Sequence, residues 1–273
     1  MEINRSNIIE ITKAYNIKAD KDYGQNFLID SNLSKRIVDA LDIKEGENVL
    51  EIGPGLGSLT HFLLETKGNI SCVDLDPMMV FFLNCNYSKT NLKIIENDIR
   101  KEDVSYYDKI IANLPYNITT EAVNYLLINA KKAKKMVLMC QQEAFPRFYD
   151  EKGKDYGPTS VLLHLLGHSK KVLKAPKGVF YPAPKIDSVV FEIVLDKDIN
   201  HDIAVETYKL AKFLFLNRRK TIYNNLSNHL KNKELAKSIL SALNIEENKR
   251  PEEIASEMYL KMVQLIKYYW RFS

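Results

Sequence analysis

Four apolar runs in this chain end in polar residues of the types that hold a nucleoside and activate an amine. VLEIGPGLGSLT (49–60) ends one run at Glu51 and follows it with Gly53, Gly55 and Gly57. Glycines there let the backbone turn tightly and approach a ligand before the next helix. VDLD (73–76) places Asp74 at the next run's end. About twenty residues past a glycine turn, a carboxylate accepts hydrogen bonds from both hydroxyls of a ribose. END (96–98) places Asp98 after the third run, where it would accept from an exocyclic adenine amine or cap a helix. A dinucleotide would bring its pyrophosphate against Glu51, and like charges repel, so a cationic sulfonium with an amino-acid tail suits this entrance better.

The fourth stretch, NLPYNITT (113–120), follows Lys109–Ala112. Adenine's exocyclic amine is a poor nucleophile because its lone pair is delocalised into the ring. The Asn113 side-chain oxygen and the Leu114 carbonyl would accept its two protons and favour the pyramidal, reactive nitrogen. Pro115 holds Leu114 extended, and Tyr116 offers a flat face for a base taken out of its stack. The histidines add no metal site: His164 and His168 are four apart but have no carboxylate or cysteine at ligand spacing.

The elements that must position these groups are legible in outline. From about residue 35, short apolar runs alternate with helix-like stretches, as in repeated βα units around a parallel sheet. Further strands are expected at Lys135–Met139 and Ser188–Val194, a helix around 161–167 and a loop at 152–157. Ligands in such sheets bind beyond the carboxyl ends of the strands, where Glu51, Asp74, Asp98 and Asn113 stand in register. After residue 196 the pattern is helical only, over Ile203–Leu230, Lys233–Leu243 and Pro251–Tyr269. The expected organisation is a catalytic domain over 1–196, with an N-terminal helical extension, and a helical domain over 197–273.

Charge divides along the same line. Residues 197–273 hold 14 Lys/Arg against 9 Asp/Glu, a net +5, while the remainder, 25 against 26, carries −1. A basic C-terminal module suits a polyanion, and Arg218, Arg219 and Lys220 after the apolar FLFL are its natural phosphate contacts. No run approaches the length of a membrane span and the first residues lack a signal-peptide layout, so the expected location is the cytoplasm. Cys72, Cys85 and Cys140 are odd in number and widely spaced, as reduced thiols would be.

Taken in order, YGQNFLID, VLEIGPGLGSLT, VDLD, END, NLPYNITT, VFYPAPKIDSVV and NRRKTIYNNL resemble the KsgA-type ribosomal RNA adenine dimethyltransferases over about residues 15–265. The resemblance implies an α/β fold, a Rossmann-like S-adenosylmethionine-dependent methyltransferase with a mostly parallel sheet and a smaller all-helical C-terminal domain. It implies dimethylation of two adjacent adenosines near the end of small-subunit ribosomal RNA, with the RNA or a partly assembled 30S subunit as partner. Asn26 and Leu28 would line the cofactor's open side, and Glu51 and Gly53 would hold its methionine part. Asp74 would take its ribose, Asp98 its adenine, and Asn113 the junction with the target base. Phe180 would close the other face of that base, opposite Tyr116. Monomer is the expected state, because the active face must meet a large particle.

The chain also departs from the family pattern. Gln142 stands where a lysine is usual, Phe145 where a small residue is usual, and Asp74 where glutamate is usual. Two alternatives share the core motifs: a large-subunit RNA dimethyltransferase that confers macrolide resistance, and a mainly non-catalytic subunit assembly factor. NRRKTIYNNL favours the small-subunit enzymes over the first, and the intact Asn113–Tyr116 stretch argues against the second.

Overall fold

The computed structural model describes residues 1–19, 24–115 and 118–271. They form two compact units, Met1–Phe145 with Ser169–Leu195, and Pro146–His168 with Asp196 onward. The first unit is built on a seven-stranded sheet. In chain order its elements are α1 (Ile8–Ala14), β1 (Phe27–Leu28), α2 (Ser31–Leu41), β2 (Asn48–Ile52), α3 (Thr60–Leu63), β3 (Asn69–Asp74), α4 (Pro77–Tyr87), β4 (Lys93–Glu96), β5 (Lys109–Asn113), α5 (Thr119–Asn129) and β6 (Lys135–Gln141). The chain then contributes α6 (Pro158–Leu166) to the second unit before β7 (His168–Ala175), β8 (Phe180–Tyr181) and β9 (Ser188–Val194).

The sheet order is β4-β3-β2-β5-β6-β9-β7. Strands β4 to β6 pair in parallel, and β9 runs antiparallel to β6. The chain reverses direction across the sheet between β2 and β5, and a ligand crevice opens at such a switch point. Parallel strands need both faces covered, which explains their continuous apolar runs. On one face, Leu33, Ile37 and Leu41 of α2 pack with Val49, Ile111 and Val137. On the other, Ile8 and Ile11 of α1 join Met79, Phe82 and Leu83 of α4.

Local signals set the helix starts. Asp30 accepts from the Leu33 N–H at 2.9 Å to cap α2, and Asp76 accepts from the Met78 N–H at 2.8 Å to cap α4. These side chains satisfy amides the first helical turn leaves unpaired.

The second unit holds α6 with α7 (His201–Phe215), α8 (Ile222–Leu230), α9 (Lys233–Ala242) and α10 (Ser256–Arg271). Two details differ from the sequence reading. The helical pattern over Ile203–Leu230 is two helices, because Thr221 accepts from the Asn224 N–H at 3.3 Å and starts α8 afresh. The segment 146–168 packs with the helical unit, so that unit is not the contiguous 197–273 expected. A buried polar contact ties it in: the Tyr156 hydroxyl lies 3.0 Å from Ser256 Oγ at the start of α10. Among the described residues no helix is long and apolar enough to cross a membrane.

Candidate active site at the carboxyl ends of the sheet

The carboxyl ends of β2, β3 and β5 and the turn after β4 enclose a cavity of about 270 Å³. Asn26, Leu28, Glu51, Gly53, Asp74, Asp98, Asn113, Leu114 and Pro115 all line it. Residues separated by up to 89 positions thus converge on one crevice. Tyr116 lies outside the described residues.

Gly53 shapes the entrance. Its φ is +64°, and its N–H donates to the Val73 carbonyl at 2.9 Å, which locks the turn to β3. A side chain there would carry left-handed strain.

Glu51 is 1% exposed. Thr60, at the start of α3, holds it through its hydroxyl, 2.6 Å from Oε2, and its backbone N–H. Burial nonetheless pushes its carboxyl up to about 8, and the Asp74 charge adds to the rise. Burial likewise pushes Asp74 up to about 6, opposed by backbone N–H donors. Two of these are Gly55, 3.2 Å from Oδ2, and Asp76, 3.0 Å from Oδ1. Two neighbouring carboxyls without a counter-charge are the acceptor set a cationic ligand fits, because an ammonium or sulfonium supplies that charge.

Asp98 serves two structural duties at once. Its Oδ1 accepts from the Arg100 N–H at 2.9 Å and so caps the short 3-10 helix Ile99–Lys101. Its carboxylate also receives the Arg100 guanidinium as a fork, with Nη2 at 2.7 Å from Oδ2, which holds its pKa below the usual carboxylate range. The cap reading and the ligand-facing reading therefore coexist at one residue.

Asn113 donates from Nδ2 to the Asn26 carbonyl at 3.3 Å, which turns its Oδ1 into the free end of the amide. Among the described residues no donor reaches Asn113 Oδ1 or the Leu114 carbonyl, while the Leu114 N–H donates to Met139 at 3.2 Å. Two unpaired acceptors at the cavity wall are what a two-proton amine requires.

Two expected site residues sit differently. Phe180 is 3% exposed and does not line the cavity; it pairs with Leu28 across β8 and β1 and packs with Leu33 and Ile37. Successive residues of a strand point to opposite faces, so Phe180 turns inward and Tyr181, 38% exposed, turns out. Arg218 is also committed: its guanidinium donates to the Lys154 carbonyl at 2.9 Å and the Gly153 carbonyl at 3.2 Å, and faces Glu252 at 3.7 Å. Arg219 and Lys220 are exposed, and no acid among the described residues pairs with either side chain.

The sequence reading overlooked three contributors. Arg100 lines the cavity two positions after Asp98, Thr60 holds Glu51, and Gln25 donates to Asp76 at 2.6 Å, tying the QNFL segment to the start of α4. Only Arg100 had a sequence signal, the basic residue in ENDIR. Of the departures from the family pattern, Gln142 is exposed and Phe145 packs on Phe191 with ring centroids 5.3 Å apart.

A mostly parallel sheet with a glycine turn, acids at successive strand ends and a helical second unit defines a Rossmann-like methyltransferase. The family model described as ribosomal RNA adenine dimethylase matches residues 16–268. Curated relatives named ribosomal RNA small subunit methyltransferase A include one from Mycoplasma mycoides subsp. mycoides, 36% identical over 92% of this chain and 98% of its own length. Another, from Alkaliphilus oremlandii, is 35% identical over 92% of each chain. Among solved structures, a dimethyladenosine transferase from Plasmodium falciparum superposes with a TM-score of 0.74 at 26% identity, covering 89% of this chain and 98% of that one. The 23S rRNA methyltransferase ErmE gives 0.67 at 20% identity over 89% of this chain and all of its own, a likeness of fold. The chain belongs to the ribosomal RNA adenine dimethylase family. It is an S-adenosylmethionine-dependent enzyme that methylates the exocyclic amine of adenine in ribosomal RNA.

Proposed function

We propose that this enzyme dimethylates two adjacent adenosines near the 3′ end of small-subunit ribosomal RNA, acting as a monomer on the RNA or a partly assembled 30S subunit in the cytoplasm. The observation that carries this reading is the pair of unengaged acceptors, Asn113 Oδ1 and the Leu114 carbonyl, at the wall of the cavity that Glu51, Asp74 and Asp98 also line. The choice of the small subunit rests on the names of relatives that match over 92% of this chain.

Bound S-adenosylmethionine supplies an electrophilic methyl on its sulfonium. In the proposed arrangement Glu51 faces the cofactor's ammonium, with Gly53 letting the backbone approach. Asp74 accepts from the ribose, Asp98 from the adenine amine, and Asn26 and Leu28 cover the open side. Asn113 Oδ1 and the Leu114 carbonyl would accept hydrogen bonds from the target amine's two N–H groups and leave its lone pair free to face the cofactor's methyl group. Pro115 holds the Leu114 carbonyl outward and Tyr116 supports the base. Positioning and hydrogen bonding then carry the rate, without a covalent enzyme intermediate. Arg219 and Lys220 meet backbone phosphates.

Labelled S-adenosylmethionine, offered with undermethylated small subunits, large subunits and their purified RNAs, tests this reading. Mass mapping is expected to find two adjacent dimethyladenosines in the small-subunit RNA. Label confined to large-subunit RNA would overturn it.

A further inference from the structure

Among the described residues, only Arg100 hydrogen-bonds the Asp98 carboxylate. Arg100 brings three N–H groups to it: the backbone N–H at 2.9 Å from Oδ1, Nε shared between Oδ1 at 3.0 Å and Oδ2 at 3.2 Å, and Nη2 at 2.7 Å from Oδ2. A carboxylate offers roughly four lone-pair directions, so about one stays open to a ligand. Asp98 is 12% exposed and lines the cavity, as does Arg100. The other guanidinium arm, Nη1, donates to Glu121 Oε2 at 2.8 Å, in the first turn of α5. That pair is exposed and contributes little stability alone. Together with the fork, however, it fixes the guanidinium plane from two sides, and a planar fork pins both oxygens of its acid.

The chemical consequence concerns what Asp98 can recognise. A carboxylate is ionised at neutral pH with or without a partner and accepts from an amine in either case, but an unpinned one rotates and spreads its lone pairs over many directions. Held by three N–H donors, the Asp98 carboxylate keeps one orientation. Its remaining lone pair accepts from an amino group and repels a carbonyl oxygen.

We propose that Arg100 is a positioning residue that fixes the orientation of the Asp98 acceptor, and so sharpens the site's selection of a cofactor whose base carries an amino group over one carrying a carbonyl oxygen in its place. This rests on the reading that Asp98 meets the cofactor's adenine.

The test is calorimetric titration with S-adenosylhomocysteine and with S-inosylhomocysteine, in which a carbonyl oxygen replaces the amine. The wild type is expected to prefer the adenosyl form about tenfold or more, the value of a hydrogen bond to a charged group. Arg100→Gln is expected to cut that preference to about threefold or less, chiefly by weakening adenosyl binding. Arg100→Lys keeps the charge without the fork and is expected to lose preference too, which guards against a fold defect peculiar to one variant. A merely structural role would weaken both ligands alike. Unchanged preference in both Arg100 variants therefore overturns the proposal. Asp98→Asn separates the two levels. If it abolishes the preference while the Arg100 variants keep it, only the role of Arg100 falls. If the wild type shows no preference, or Asp98→Asn keeps it, the reading of Asp98 falls and the proposal with it.

Discussion

The Thr60 hydroxyl donates to Glu51 Oε2 at 2.6 Å, deep beneath the glycine turn, and is joined by the Thr60 backbone N–H. Among the described residues no cation acts on this carboxyl, so burial wins and its pKa rises to about 8. A cationic ligand would supply the counter-charge that this buried carboxyl lacks.

A pH dependence follows from that shift. Between 4.5 and about 8 the folded state keeps a proton on Glu51 that the unfolded chain has released. Stability must then fall as pH rises through this window, by up to about 1.4 kcal/mol per pH unit from this group. Urea unfolding of the ligand-free protein from pH 5 to 8 is expected to show this component, and Glu51→Gln to lack it. At pH 7, cofactor binding should release close to one proton from the wild type and none from the variant, as measured by calorimetry in buffers of different ionisation enthalpy.

Asn113→Ala removes one of the two acceptors offered to the target amine. Transfer is expected to drop about 10²- to 10³-fold, the usual effect of deleting one preorganised polar group. S-Adenosylhomocysteine affinity should fall no more than about tenfold, since only the 3.3 Å bond to Asn26 is also lost. Single-turnover kinetics with a titration of the cofactor product separates the two effects.

Phe180 is a core residue in this geometry, 3% exposed behind Leu28. Phe180→Ala should cost about 3–5 kcal/mol in unfolding free energy, as for other large core deletions. Phe180→Leu keeps most of the volume and is expected to retain both stability and transfer. A Leu variant that folds normally but transfers poorly would show that the ring itself is needed.

Arg218 and its neighbours should separate by readout. Arg218→Ala breaks bonds to the Gly153 and Lys154 carbonyls and is expected to lower stability by about 1–2 kcal/mol. The double change Arg219→Ala, Lys220→Ala should instead weaken ribosomal RNA binding. It should flatten the log–log salt dependence by about 1.4–1.8, the slope of two phosphate contacts. Filter binding at several salt concentrations, with thermal unfolding alongside, distinguishes the two classes.

The sequence by itself determined the parallel core and the order of its strand ends. Apolar runs long enough for a buried strand, each followed by turn chemistry, leave few alternatives for where Glu51, Asp74, Asp98 and Asn113 stand. Once strands pair in parallel, their carboxyl ends share one edge, so the cavity was legible as a set of residues. Tertiary structure alone decided how each side chain is spent. Phe180 faces inward because β8 pairs with β1 in a register that stacks it on Leu28, across 152 positions of chain. Arg218 turns to carbonyls 64 and 65 positions earlier, and the 146–168 segment joins the helical unit. Arg100 holds both carboxylate oxygens of Asp98 from two residues away, yet its second arm reaches α5. Local patterning follows the period of the backbone and shows in any short window. Partner choice follows from which groups three-dimensional packing brings within 3 Å, and no spacing in the chain encodes that distance.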